Sequence, residues 1–238
     1  METIINAWLS VWLYVMAGIA VLLGILICKN RKTWTRLNIL CTLAVIVLVL
    51  HVLEEWVFPG GLHYSYNIDH GSNLLSCYPM NRLTDMITNF GGVLLGCIVL
   101  KFWGFKKPAG ITIMLFSAFE VVIHVVIGIT SLKTFGPYGM NTLYSPGLVT
   151  SLFGFLPIVI GLAKELLGAK PYPTIKQWVM AVVAMFFFCF LLINLPEMVL
   201  GSKDTPYRFT DRGYYEQYAA AFEADHHLQY DTGTEAAT

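Results

Sequence analysis

An all-α, polytopic bundle of about six membrane-spanning helices, with both termini outside, is the architecture that three features of these 238 residues imply. The composition is 56% hydrophobic and 13% charged, with a mean hydropathy of +0.64, too apolar for a soluble globular domain. Long uncharged runs recur, at residues 8–28, 37–58, 84–105, 110–132, 146–167 and 175–200. Each is about long enough to cross a ~30 Å hydrocarbon core at 1.5 Å per residue. Finally, Lys and Arg sort between the connecting segments. Ten of them (Lys29, Arg31, Lys32, Arg36, Lys101, Lys106, Lys107, Lys164, Lys170 and Lys176) fall on one side. Five (Arg82, Lys133, Lys203, Arg208 and Arg212) fall on the other. The basic side is the cytoplasmic one by the positive-inside rule, which makes this a multi-pass protein of the plasma (inner) membrane with the lipid bilayer as its first partner.

The first run is preceded only by Glu2 and followed by Lys29, Arg31, Lys32 and Arg36. A secretory signal carries its charge in front and small residues behind, so this run reads as a retained helix. The outer loop from Pro59 to Asp85 is rich in aromatic residues and holds His63 and His70. It reads as an interfacial aromatic belt or as a functional lid. Pro157 and Pro196 interrupt the fifth and sixth helices, where the missing N–H predicts kinks. Small residues such as Gly91, Gly92, Gly96 and Gly128 are the expected close-packing points. The transmembrane domain therefore covers residues 1–200. The rest, 201–238, is a polar tail with seven acidic and three basic groups. Its Tyr214, Tyr218 and Phe222 recur at i, i+4, i+8 and suggest a short amphipathic helix on the membrane surface, followed by a frayed end. Glu223, His226 and His227 have metal-compatible spacing there, but a solvated tail explains them. The zero formal charge and scattered basic residues leave no footprint for nucleic acid. Five cysteines without a CxxC pair predict free thiols.

Chemistry concentrates in His51-Val52-Leu53-Glu54-Glu55, at the outer end of the second run. Helical geometry puts i, i+3 and i+4 on one face. One carboxylate in hydrocarbon costs about 3 kcal/mol on insertion scales, so paired glutamates call for a proton, a cation or water. A helix end reaching the aqueous interface is the plainer reading. Depth favours a site: His51 is seven residues before Phe58, His124 seven before Ser131, and Asn89 seven after Arg82. At 1.5 Å per residue all three lie about 10 Å below one surface. Glu120 shares a face with His124, the third helix offers Asp85, Thr88 and Asn89, and the sixth ends in Asn194 and Glu197.

His51, His124, Glu54, Glu55, Glu120 and Glu197 are thus candidate metal ligands, with Asp85, Asn89 and Asn194 as supporting polar groups. Two imidazoles and four carboxylates match a carboxylate-bridged di-metal centre in a helical bundle, although such centres use Glu-x-x-His. The order here is His51-x-x-Glu54 and Glu120-x-x-x-His124. A single zinc is the other metal reading, with Glu54 as ligand and Glu55 as general base. A metal-free His/Glu proton relay is the third. Tyr144-Ser145-Pro146-Gly147 marks the start of the fifth helix, since proline suits a first turn, and sets the Tyr144 hydroxyl at the site mouth.

His51-Val-Leu-Glu54-Glu55, the later His124 and Tyr144-Ser145-Pro146-Gly147 together resemble the signature of the HXXEE-domain family, which is HxxEE, a further histidine and YxPG. The resemblance runs from about residue 40 to 165. It implies a membrane domain and shared site residues, but no substrate, because that family consists of uncharacterised integral membrane proteins. Glu120 and Glu197 lie outside its signature.

Two functions fit these residues. One is a metal-dependent enzyme, hydrolytic with zinc or oxidative with iron, taking a hydrophobic or lipid-like small molecule near the outer leaflet through Glu55, Glu54 and Tyr144. The other is a permease for a small solute or cation, in which the same His/Glu groups relay protons or cations. It lacks internal repeats and a polar path through the cytoplasmic half.

Overall fold

The computed structural model describes residues 2–102, 106–168 and 170–233. It is entirely helical among them, with six helices long and apolar enough to cross a membrane. They are α1 (Glu2–Asn30), α2 (Arg36–Trp56), α4 (Arg82–Phe102), α5 (Lys107–Phe135), α6 (Leu148–Leu167) and α7 (Ile175–Leu200). Two short helices lie outside the spans, α3 (Leu62–Asp69) and α8 (Glu216–Asp225). This is the architecture of a multi-pass membrane protein.

Helix α2 is the axis of the bundle. It touches α1, α4, α5 and α6, and 44% of its most apolar stretch is buried, against 6% for α7. Its start is fixed by Thr35, whose hydroxyl accepts the Asn38 N–H. Close approach comes from glycine. A Cβ on Gly96 would meet Val45, one on Gly154 Val47, and one on Gly161 Leu40, so α4 and α6 lie against α2 where side chains are missing. Gly91 and Gly128 are equally confined, by Leu192 and by the Leu143 carbonyl. The apolar core runs along these seams, through Trp12, Met16, Val45, Val49, Val93, Ile111 and Leu162.

The prolines act through a change of helix type. A π-helical turn, Ser151–Phe155, precedes Pro157, and another, Phe190–Asn194, precedes Pro196. Each wide turn absorbs the rung that proline cannot supply.

The short helix expected in the tail is present as α8, and the frayed end expected after it falls on residues 234–238, outside the described residues. Residues 201–233 fold back over the loop between α2 and α4 and build a second hydrophobic core there. Tyr64 and Leu75 of the loop, Phe135 at the end of α5 and Tyr215, Tyr218 and Phe222 of the tail form it. The stripe expected to face lipid faces protein. Glu223, read above as part of a solvated tail, is 8% exposed. Arg212 donates to both its carboxylate oxygens at 2.7 and 2.9 Å, and the Tyr64 hydroxyl donates at 2.9 Å. Asn67 pins the loop by donating to the Leu75 and Met80 carbonyls and accepting the Met80 N–H. Backbone bonds from Arg82 to Tyr207, Phe209 to Ser76 and Tyr214 to Gly60 tie cap to bundle. The cap therefore covers the end of the bundle where α2 and α5 finish and α4 and α6 begin.

Candidate metal centre beneath the cap

Helices α2 and α5 both end at the cap, so they run parallel, and each carries one His and one Glu four residues apart. Their order is opposite: His51 precedes Glu55, whereas Glu120 precedes His124. Side by side, parallel helices with opposite orders set each imidazole across from a carboxylate. His51 Nε2 lies 3.1 Å from Glu55 Oε1 and 3.5 Å from Glu120 Oε2. His124 Nε2 lies 3.2 Å from the same Glu55 oxygen and 3.6 Å from the same Glu120 oxygen. Each imidazole nitrogen thus lies beside both carboxylates. The imidazole rings meet edge to face, 4.5 Å between centroids. The site is deep, both histidines being 2% exposed and Glu55 6%.

The shell around these atoms fixes His51. Its Nδ1 lies 2.8 Å from Thr150 Oγ1. That hydroxyl sits 2.6 Å from Glu54 Oε2 and 3.2 Å from the Gly147 carbonyl, both of which only accept. The threonine proton is therefore committed, and His51 Nδ1 must be the donor. Nε2 then lies beside the carboxylates with a bare lone pair, unless a second proton charges the ring. The Nε2 contact is also out of line for a hydrogen bond, which leaves that buried atom without a hydrogen-bonding partner among the described residues. Phe155, from the π turn of α6, packs on the other side of the His51 ring at 5.2 Å.

Glu54 has a different task from its neighbour. About 100° further round α2, it accepts the Val149 N–H at 3.1 Å, the Thr150 N–H at 2.8 Å, the Thr150 hydroxyl at 2.6 Å and the Tyr144 hydroxyl at 3.1 Å. Two of these are free N–H groups in the first turn of α6, where an anion is favoured. Burial, and then the Glu54 carboxylate beside it, push the Tyr144 phenol above its ordinary range, so it stays a donor. Gly147 completes the motif. Its φ is +93°, and a Cβ there would collide with the His124 ring, so only glycine lets the imidazole lie against the turn before α6.

Of the residues singled out in the sequence, the structure brings together His51, Glu55, Glu120 and His124. His51, Glu120 and His124 have ligand atoms all within 4.8 Å of one another. Glu54 and Tyr144 stand behind His51. Glu197, a candidate ligand, is turned away and accepts the Tyr66 hydroxyl at 3.1 Å. Asp85 is buried and accepts from Asn89 Nδ2 at 2.5 Å. Asn194 ends the π turn of α7, and no hydrogen bond or ion pair joins its side chain to the His/Glu group among the described residues. Thr150 was not singled out beforehand, and its only sequence signal is a hydroxyl residue in the first turn after Pro146-Gly147.

A family model described as a protein of unknown function with HXXEE motif matches residues 42–162. The chain belongs to this family. No curated protein and no solved structure matches it. The matched span contains all four converging residues as well as Glu54, Tyr144, Gly147 and Thr150.

Proposed function

We propose that the chain is a membrane-embedded, metal-dependent enzyme, and that His51, His124, Glu55 and Glu120 hold a transition metal, zinc or iron. The observation behind this reading is the set of N···O separations, 3.1–3.6 Å. Ligand atoms ~2.1 Å from a zinc ion at tetrahedral angles lie about 3.4 Å apart. A bare lone pair beside two carboxylates in a buried site also calls for a cation or a proton between them. Such a metal polarises a carbonyl or phosphoryl oxygen and lowers the pKa of water.

The roles of the two glutamates follow from their surroundings. Glu55, nearer to both imidazoles, is the firmer ligand. Glu120, at the longer distances and 14% exposed in its side chain, is the looser ligand, the one that would leave the metal to take a proton from water or substrate. Glu54 acts through Thr150 by holding His51 in the Nδ1–H form. The centre lies about one and a half turns below the capped end of α2, on the side with fewer basic loops. This corresponds to the outer leaflet of the plasma membrane, with both termini outside, and a hydrophobic or lipid-like substrate reaches it from the bilayer.

Purified protein should carry about one equivalent of zinc or iron by elemental analysis. His51→Ala and His124→Ala should both lose it, and His226→Ala should keep it. A metal-free preparation of full stability, with none lost on His51→Ala, would overturn the reading. The proton-relay permease would then stand. Its support is the further acidic chain of Asp85 and Glu197, ending at Tyr66, between the centre and the cap.

A further inference from the structure

A cavity of about 220 Å³ opens at the capped end, away from the His/Glu centre. Its walls belong to five separate parts of the chain. Leu9, Trp12 and Leu13 of α1 form an apolar side, Trp56 and Phe209 an aromatic floor, and Arg82 stands at the start of α4. The lining is rigid: Trp12 meets Trp56 edge to face at 5.3 Å, and Phe209 packs on Trp56 at 5.2 Å and stacks on His63 at 3.7 Å.

The charges on this wall are unequal. His63 is neutral, because burial holds its pKa down at about 3. Its Nε2 is occupied by the Asp211 carbonyl and the Tyr230 hydroxyl. The Asp211 carboxylate is exposed and accepts the Gly213 N–H of its own turn. Arg82 is different. Its backbone N–H reaches the Tyr207 carbonyl, but its half-buried guanidinium has no carboxylate, hydrogen-bond or ring partner among the described residues. An unpaired guanidinium in a partly dry cleft attracts an anion, and its planar fork suits carboxylate or phosphate.

We propose that this cleft binds the head of an anionic amphiphile, a fatty carboxylate or a single-chain lipid phosphate, with Arg82 on the head and the chain running along Leu9, Trp12 and Leu13. The volume supports a head and the first carbons alone, since pockets that enclose whole small molecules hold roughly 300–1,000 Å³. The site stands on the cleft and on Arg82, and is independent of any metal at the centre.

The test uses full-length protein in nanodiscs of zwitterionic lipid, with hexadecanoate, lysophosphatidate, hexadecanol and inorganic phosphate as separate probes. Affinity is read by fluorescence of the lining tryptophans and by native mass spectrometry. The proposal expects one tight site for one or both anionic amphiphiles, and which of them binds identifies the head. Arg82→Gln should weaken it by about tenfold or more. Leu13→Trp, which fills the cleft and keeps the charge, should abolish it. Since the Arg82 side chain has no partner to lose, Arg82→Gln should keep the thermal midpoint and the elution profile of the parent protein. Equal binding of hexadecanol and hexadecanoate, or binding of phosphate alone as tight as that of the amphiphiles, would overturn the proposal. So would Arg82→Gln and Leu13→Trp variants that both bind like the parent.

Discussion

Two clusters of buried charge lie at the same end of this molecule, and they are built on opposite plans. In the cap, Glu223 faces Arg212, which meets it with two hydrogen bonds, donates to Glu216 at 3.1 Å and lies over the Tyr230 ring at 4.4 Å. Burial, followed by Glu223 itself, pushes the Tyr64 phenol up, so it remains a donor to the carboxylate. That set is closed: a permanent cation faces a carboxylate whose two oxygens are met by Arg212 and Tyr64. The centre below has two carboxylates and two imidazoles but, among the described residues, no permanent cation. A fixed guanidinium makes a fastening. Imidazoles, whose charge depends on what arrives, make a place for something exchangeable.

The sharpest way to break the contrast is to remove the fixed cation. Arg212→Met should lower stability by about 3 kcal/mol, because Glu223 would stay buried and uncompensated. Thermal unfolding in detergent should show it, with protease cutting within residues 201–233 but metal content kept. Gly147→Ala acts on the other cluster. It forces a side chain into a left-handed turn and into the His124 ring, and should cost about 2 kcal/mol as well as the bound metal. Thr150→Val removes the acceptor that fixes His51. Metal affinity in competition with a chelator should fall about 10–100-fold with the fold intact. Unchanged affinity would remove Thr150 and Glu54 from the account of the site.

A pH series sharpens the comparison. His63 has its pKa lowered from 6.5 to about 3 by burial, so the unfolded cap binds the extra proton first. Its contribution to stability is complete above pH 6.5 and is lost progressively as pH falls toward 3. Hydrogen exchange at residues 62–69 and 209–215 should rise over that window, and rise less in His63→Gln. The smallest effect is expected for Glu197→Gln. The amide oxygen can still accept the Tyr66 hydroxyl, so metal content and stability should stay within about 0.5 kcal/mol of the parent.

Much of this was legible in the chain. The six spans follow from length and hydropathy alone, since hydrocarbon admits few other structures. His51, His124 and Asn89 could be brought to one level because rise per residue and topology set depth, and Glu120 could be put on the face of His124 by helical spacing. What could not be read was which of two adjacent glutamates faces the centre. Glu54 and Glu55 differ by one helical step, and their assignment depends on where the first turn of α6 docks, a contact 95 residues away in sequence. The reversed order of His and Glu on α2 and α5 looked like a departure from known centres. With the two helices parallel, the opposite orders set each imidazole beside a carboxylate of the other helix. The tail was misread for a related reason. A stripe at i, i+4, i+8 shows that a helix has a buried face, but not whether lipid or protein covers it.

The position of the HXXEE residues also bears on biogenesis. Synthesis begins at the N-terminus, so α2 reaches the membrane before α5 has supplied Glu120 and His124 and long before α6 has supplied its N–H groups. At that moment His51, Glu54 and Glu55 have no partners, and each charge left in hydrocarbon would cost about 3 kcal/mol. They sit in the last two turns of α2, behind a run of apolar residues from Leu37 to Leu50. The emerging helix can insert that run first and leave its final turns in the headgroup layer until Thr150 arrives. Completion of the centre thus waits for α6, and a chain that stops short of α6 should remain a substrate for membrane quality control.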